Sequence, residues 1–314
     1  MNIRYLDPLG RAWNRMKKAL FTPFNLRNWF IVGFTAFLAG LTEGPGGGGG
    51  NGIKKGVGDK CCNLGEIVDA PKRALDWFLY SPERIVLVSL GVLILFVIIA
   101  LVVWLSSRGK FMFLHNVVLK RTDIAKPWNQ YSNEGNSLCV WSISFGLICM
   151  VFFGVFAGLV FKLLAQIHYY GFSAPDMVLW IVGLACLFIA AMLFIGYTWL
   201  FLNDFVVPIM YKYRITASDA WGRFLPLFRE YAFNFILYGL LLFLIYLMVG
   251  IVVILFGFFT CCIGFFLLAI PYINSVVTLP ISYTLRGFSV EFLAQFGTKF
   301  NILQKARTPA RKNS

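Results

Sequence analysis

Long runs of predominantly apolar residues limit this chain more than any other feature of its sequence. The clearest runs are 84–105, 137–165, 177–202 and 232–259, and each is long enough to cross a bilayer, which takes about 17–25 helical residues. The composition agrees, because 59% of the 314 residues are hydrophobic and only 13% are charged. Since lipid offers no hydrogen bonds to the backbone, such segments cross as helices. The sequence therefore predicts an all-α, polytopic membrane protein.

Two less regular apolar runs, 28–42 and 264–285, complete a set of about six predicted transmembrane helices. The first is short for a span, and the second contains two prolines, which predict kinks. The N-terminal segment, the C-terminal segment, 106–136 and 203–230 together hold 21 of the 28 Lys and Arg residues. The other seven lie in the remaining three loops or within the spans that border them. Because basic residues concentrate on the cytoplasmic side, this alternation favours six spans with both termini in the cytoplasm.

Recurring motifs predict an internal repeat. A Phe-Leu step followed by polar residues occurs at Phe113, Phe201 and Phe292, and a Trp-containing segment follows the first two. The simplest interpretation is three transmembrane hairpins, each preceded by a cytoplasmic interfacial amphipathic helix, of which 3–26 is the first. A further interfacial helix at 287–297 closes the set. The alternative is that Trp, Phe and Arg collect at any cytoplasmic membrane border.

The predicted spans and interfacial helices make one membrane domain over residues 1–300. The segment 43–83 begins with a run of glycines and is predicted to be a periplasmic loop, and 301–314 is predicted to be a disordered basic tail. Two vicinal cysteine pairs on the predicted outer side would allow a disulfide in an oxidising periplasm. These residues are Cys61, Cys62, Cys261 and Cys262. No histidine lies at metal-ligand spacing from them, so we expect neither a metal site nor a cofactor.

Polar residues at the predicted cytoplasmic ends of the spans form the candidate functional site. They are Arg108, His115, Asn116, Asn203, Asp204, Arg286 and Gln295. If the repeats pack around a common axis, these side chains would meet in one polar cluster, because ionisable groups at membrane depth usually face a bundle interior or a cavity. The functional interpretation is a cytoplasmic-side pocket for a lipid headgroup or a small anion, with arginines on phosphate. The structural alternative is that these residues cap helices and bridge hairpins.

Three segments carry a resemblance to known membrane proteins. Residues 134–138, 203–211 and 261–297, the last including Cys261-Cys262 and Leu285-Arg286-Gly287, resemble a family of uncharacterised bacterial six-span membrane proteins. That family is similar to the membrane domain of some glycerophosphodiester phosphodiesterases. The resemblance implies a bacterial inner-membrane protein. It implies no catalytic residue, because the phosphodiesterase chemistry belongs to a separate soluble barrel for which these 314 residues leave no room.

The function expected from the sequence is that of a non-enzymatic scaffold or accessory protein in the inner membrane. Its expected partners are the lipid bilayer, including anionic headgroups, and other proteins. No predicted span carries a paired nucleophile and base, so we do not expect an enzyme. The alternative is a transporter or lipid-handling protein with a polar site on the cytoplasmic side. The net charge of +14 does not indicate nucleic acid, because basic residues beside spans are a topology signal.

Reporter fusions test the predicted topology. We expect a C-terminal green fluorescent protein to fluoresce and a C-terminal alkaline phosphatase to be inactive, because the terminus is predicted to stay in the cytoplasm. Alkaline phosphatase inserted within 43–52 should be active, since that loop is predicted to face the periplasm. An active phosphatase at the C-terminus would contradict the six-span topology.

Overall fold

The computed structural model describes residues 3–42, 82–120, 122–170, 175–259 and 270–303. Every helix or strand element within these ranges is helical, which confirms the all-α prediction. The α-helices are α1 Leu6–Leu20, α2 Leu26–Gly40, α3 Pro82–Leu119, α4 Ala125–Gln130, α5 Ser132–Tyr170, α6 Pro175–Phe201, α7 Val207–Tyr213, α8 Ala217–Glu230, α9 Ala232–Phe259, α10 Pro271–Val277 and α11 Leu279–Leu293. A π-helical turn, Leu202–Val206, joins α6 to α7, and a short 3-10 helix, Ala294–Phe296, follows α11.

Four helical segments of the described chain are long and apolar enough to cross a membrane. They are Glu83–Leu119, Ser132–Tyr169, Met177–Tyr213 and Ala232–Leu255. The 38 residues of α3 make a helix about 57 Å long, which exceeds the roughly 30 Å of a hydrocarbon core. The predicted span 84–105 thus covers only part of α3. The helix continues to Leu119 because residues 106–119 contain no proline and their polar side chains find partners within the protein.

The first and last predicted spans do not form long helices in the described chain. The 15 residues of α2 extend about 22 Å, less than the hydrocarbon thickness, and many of them are buried against protein. Of the predicted span 264–285, the first six residues lie outside the described ranges, and the rest is divided between α10 and α11 by a break at Thr278. The Nε1 of Trp29 on α2 donates to the carbonyl of Val276 on α10 at 2.9 Å. Six spans therefore remain a prediction.

The chain divides into two compact units. The first contains residues 1–51, 102–141 and 199–314, and the second contains residues 52–101 and 142–198. The predicted polar cluster falls entirely within the first unit. In the second unit, the rings of Phe156 and Phe188 pack with their centroids 5.3 Å apart.

In the first unit, α1 packs along α11. One face of α1 is buried and repeats every four residues, comprising Pro8, Ala12, Met16 and Leu20. The guanidinium groups of Arg11 and Arg15 both donate to Glu291 at 3.1 Å. Residues 287–293, which were predicted to begin a surface helix, are therefore the mostly buried C-terminal part of α11 under α1. The helix predicted over 3–26 ends at Leu20, and the chain turns before α2 begins.

Stacked and edge-on aromatic rings hold α8, α9 and α11 beside the π-helical turn. The ring of Phe205 lies 4.9 Å from that of Phe235 and 5.5 Å from that of Phe224, measured between centroids. Tyr238 and Phe292 are 4.6 Å apart. Each such pair contributes about 0.5–1.5 kcal/mol beyond the area that it buries. This cluster fixes the helices that carry the polar groups described next.

A close approach of α3 to α2 depends on Gly109. A Cβ added there would lie 2.6 Å from the carbonyl carbon of Leu38 and 2.7 Å from the amide nitrogen of Ala39. Because these are backbone atoms that cannot rotate away, we expect Gly109→Ala to lower the free energy of unfolding by about 1–3 kcal/mol or more. Unfolding in mixed micelles with increasing SDS measures the change.

The matched control for that substitution is Gly222→Ala on α8, where an added Cβ meets nothing within 4 Å. Alanine is the better helix former, so this variant should be neutral or more stable by up to about 1 kcal/mol. Equal stability of the two variants would show that α2 and α3 do not approach as closely as described.

Candidate functional site

Three helices converge on the π-helical turn Leu202–Val206. Lys110 reaches it from α3, Arg286 from α11 and Tyr238 from α9. The N–H of Val207 bonds to the carbonyl of Leu202, five residues back. Such π-turns are uncommon and occur frequently at functional sites. We call the group formed by Lys110, Asn203, Asp204, Tyr238 and Arg286 the π-turn cluster.

Asn203 accepts hydrogen bonds from both cations of the cluster. The Nζ of Lys110 donates to its side-chain Oδ1 at 2.7 Å, and the Nη1 of Arg286 donates to its backbone carbonyl at 2.5 Å. Lys110 is only 3% exposed and Arg286 only 8% exposed. The ring centre of Trp199 lies 4.5 Å from the Lys110 ammonium, which adds a cation–π contact. These contacts offset part of the several kcal/mol that desolvating each charge costs.

Asp204 supplies the negative charge of the cluster. Its Oδ2 accepts a hydrogen bond from the hydroxyl of Tyr238 at 2.9 Å, and its Oδ1 lies 3.8 Å from the Nη1 of Arg286. The Asp204 side chain is 20% exposed. The π-turn cluster therefore contains two buried cations and one carboxylate, which gives it a formal charge of about +1 when all three are ionised.

The guanidinium of Arg286 is only partly satisfied by the protein. Its Nη1 is engaged by Asn203 and Asp204, whereas Nε and Nη2 are buried and have no hydrogen-bond partner among the described residues. Leaving a buried donor unsatisfied costs about 1–3 kcal/mol, and more for a charged group. Nε and Nη2 lie on one edge of the guanidinium, and one N–H bond of each points outward from that edge in the same direction. That edge is the one that binds carboxylate and phosphate bidentately.

Arg108 occupies a separate position. Its guanidinium lies against the rings of both Trp104 and Trp128, at 4.5 and 5.0 Å from their centres, and its Nη2 donates to the Oδ1 of Asn136 at 3.3 Å. The indole of Trp104 donates to the same Oδ1 at 3.0 Å. Arg108 thus joins α3 to α4 and α5. Bridging helices in this way is the structural alternative given above for the candidate site residues.

His115 and Asn116 also lie away from the π-turn cluster. The Nδ1 of His115 and the hydroxyl of Tyr211 are 3.1 Å apart, and Tyr211 stacks on Tyr131 with 4.7 Å between centroids. Burial raises the pKa of the Tyr131 hydroxyl. The side chain of Asn116 donates to Thr35 and accepts from the N–H of Asp123. Both residues fasten the end of α3 to its neighbours.

Gln295 pairs with the N-terminal segment. Its Oε1 accepts from the backbone N–H of Arg4 at 3.0 Å, and its Nε2 donates to the carbonyl of Arg4 at 2.9 Å. The side-chain amide thus mimics a peptide group. Of the seven predicted site residues, the structure brings together Asn203, Asp204 and Arg286, and places the other four in separate contacts.

Sequence reasoning missed Lys110 and Tyr238. In the sequence, Lys110 is only one of the basic residues of a predicted cytoplasmic loop, because its burial depends on α3 continuing past residue 105. The two vicinal cysteine pairs, for which a disulfide was predicted to be possible, lie outside the described residues. They are Cys61, Cys62, Cys261 and Cys262. Within the described ranges, no group of three or more His, Cys, Asp or Glu side chains could hold a metal ion.

Comparison with known proteins places the chain in a family. The model of a family of unknown function, DUF7544, matches residues 4–302. The chain belongs to that family. The matched range covers every helix described above and the whole π-turn cluster. No curated protein and no solved structure matches the chain significantly. The similarity to the membrane domain of glycerophosphodiester phosphodiesterases, expected from the sequence, finds no support in these comparisons.

Replacing Asp204 tests whether the π-turn cluster of this DUF7544 protein depends on one carboxylate. Asp204→Asn keeps the shape but removes the cluster's carboxylate from beside two buried cations, so we expect a loss of about 2–3 kcal/mol in the free energy of unfolding. SDS titration in mixed micelles measures it. The control is Asp7→Asn, which removes an exposed pair with Arg4 and should change stability little. Equal effects would show that Asp204 is not the required counter-charge.

Proposed function

We propose that this protein is a non-enzymatic scaffold or accessory protein of the bacterial inner membrane, with about six spans and both termini in the cytoplasm. The observation that carries the proposal is the exposure of the candidate spans. In three of these helices none of the 18 most apolar consecutive residues is buried within the protein, and in the fourth 17% of them are. Apolar surface of this extent is unfavourable in water and must be covered by lipid or by another protein.

Lipid is the better match for the exposed part of α3. Its residues 83–99 are exposed on every side of the helix except for the partly buried Val88, and Leu93 is 58% exposed. A partner helix would cover one stripe, whereas acyl chains surround a helix completely. The length of α3 also exceeds what a bilayer core requires. These features support a protein that presents its helices to the membrane.

The contact between the chain ends supports a topology with both termini on one side. Gln295 is paired with Arg4, and α1 lies along α11. Lys18 and Lys120 add a basic surface nearby, beside Arg15, which is paired with Glu291. Partial burial, together with the charges of Arg15 and Lys18, lowers the pKa of Lys120. Cations crowded in this way favour anionic headgroups, which is the contact expected on the cytoplasmic side.

A second candidate function is that of a lipid-handling protein or transporter. The specific observation in its favour is the π-turn cluster, where the buried guanidinium edge of Arg286 has no partner among the described residues. A purely structural cluster would gain from an acceptor at this position, because an unsatisfied buried charge lowers stability.

A lipid-scrambling assay separates the two candidates. The purified protein is reconstituted into liposomes that contain phosphatidylglycerol with a fluorescent nitrobenzoxadiazole label, and dithionite is added outside. A scaffold should leave the inner-leaflet label unbleached, because it provides no polar path for headgroups. Bleaching of both leaflets, absent from protein-free liposomes, would overturn the scaffold proposal in favour of lipid handling. Resistance of the protein to alkaline carbonate extraction confirms that reconstitution placed it in the bilayer.

A further inference from the structure

We propose that the π-turn cluster is a binding site for a phosphate group that carries one negative charge, held by the Nε and Nη2 edge of Arg286. The inference rests on the second candidate function and gives it a ligand class. The shared chemistry is that of a phosphodiester in a lipid headgroup and of free dihydrogen phosphate. The site lies inside the first unit, on helices that the aromatic cluster holds in place.

The geometry of the guanidinium carries the proposal. Nη1 is already fixed by the Asn203 carbonyl and by Asp204, so the orientation of the whole planar group is set before a ligand arrives. The remaining edge presents parallel N–H groups from Nε and Nη2, both buried and without a partner among the described residues. Two oxygens of one phosphate match the spacing of such a fork, and the resulting pair of hydrogen bonds is charge-assisted. A site that is oriented in advance binds at lower entropic cost.

The charges of the cluster select a monoanion. Lys110 and Arg286 are buried cations, and Asp204 offsets one of them. Over these three side chains, one further negative charge brings the sum to zero, and a phosphodiester carries one. A dianion would leave a net negative charge in a buried place, which costs desolvation energy.

The position along the chain favours phosphate over other oxyanions. Lys110 and Asn203 each lie just beyond the end of a long apolar run, 84–105 and 177–202. Charged residues at such borders lie near the depth of lipid headgroups. A phosphate at the end of an acylated glycerol therefore reaches this level of the protein without entering the hydrocarbon core.

Thermal unfolding of the full-length protein, delipidated in detergent, tests the site. One series adds sodium phosphate near pH 6, against sodium chloride at equal ionic strength. The other adds dioctanoylphosphatidylglycerol, against dioctanoylglycerol, which lacks the phosphate. We expect the phosphate-bearing probe to raise the melting temperature in at least one series, because a ligand that binds only the folded state stabilises it. A shift with free phosphate identifies the soluble source, and a shift with the lipid alone identifies the headgroup.

Two variants and one control make the test specific. Arg286→Lys keeps the charge but removes the fork, so the probe should bind about tenfold more weakly or worse. Asn203→Asp places a carboxylate of the same size beside Lys110 and cancels the positive charge of the cluster, so it should preserve folding and abolish the shift. Arg223→Lys, which replaces an exposed guanidinium stacked on Tyr213, should bind as the unaltered protein does.

The proposal is overturned if neither phosphate probe exceeds its matched control, or if Asn203→Asp binds as tightly as the unaltered protein. The second criterion applies even when Arg286→Lys fails to fold. Failure of the site is distinguishable from failure of the functional proposals, because the dithionite assay reports lipid movement and not affinity. A protein that scrambles lipid but ignores both probes would retain the lipid-handling function without this site.

Discussion

Burying Arg286 against the backbone requires a free carbonyl, and a regular α-helix engages its carbonyls in its own hydrogen-bond ladder. The π-helical turn meets this requirement at Asn203, whose carbonyl accepts from Arg286 while its side chain accepts from Lys110. Asp204, the next residue, adds a carboxylate that Tyr238 orients. One irregular turn thus makes two buried charges tolerable and draws α3, α9 and α11 to the same place.

The remaining contacts of the first unit follow from the position of α11. Once Arg286 is fastened to the π-turn, Phe288 and Phe292 complete the aromatic cluster with Tyr238. The outer face of α11 then receives α1, and Gln295 closes the arrangement on Arg4. The N-terminal helix, which on its own has the composition of a membrane-surface helix, is therefore also part of the folded core, with Ala12 and Met16 buried.

The sequence was most informative where apolar runs are long. The runs 84–105, 137–165, 177–202 and 232–259 each lie within or largely overlap a helix that could cross a membrane. It was least informative where a helix continues beyond such a run. The extension of α3 to Leu119 depends on tertiary partners for Lys110, His115 and Asn116, and no local pattern encodes those partners.

The candidate site was predicted in part for the same reason. The adjacent pair Asn203-Asp204 interrupts an apolar run, which is a visible signal, and Arg286 lies at the end of another. The similar motifs at the repeat ends predicted one common cluster. Gln295 and Arg108 instead bond to different neighbours, because Arg108 lies within α3 and Gln295 lies in the 3-10 helix after α11. The π-turn has one local signal in the sequence, Pro208, whose missing N–H leaves a carbonyl of the turn without its usual helical donor.

A density map of the protein in phosphatidylglycerol nanodiscs, obtained by electron cryomicroscopy, tests the central claim most directly. The account predicts Lys110 and Arg286 buried on the π-turn, with a phosphate-shaped density against the Nε and Nη2 edge of Arg286. A protein acceptor on that edge, or either cation turned out into solvent, would contradict it.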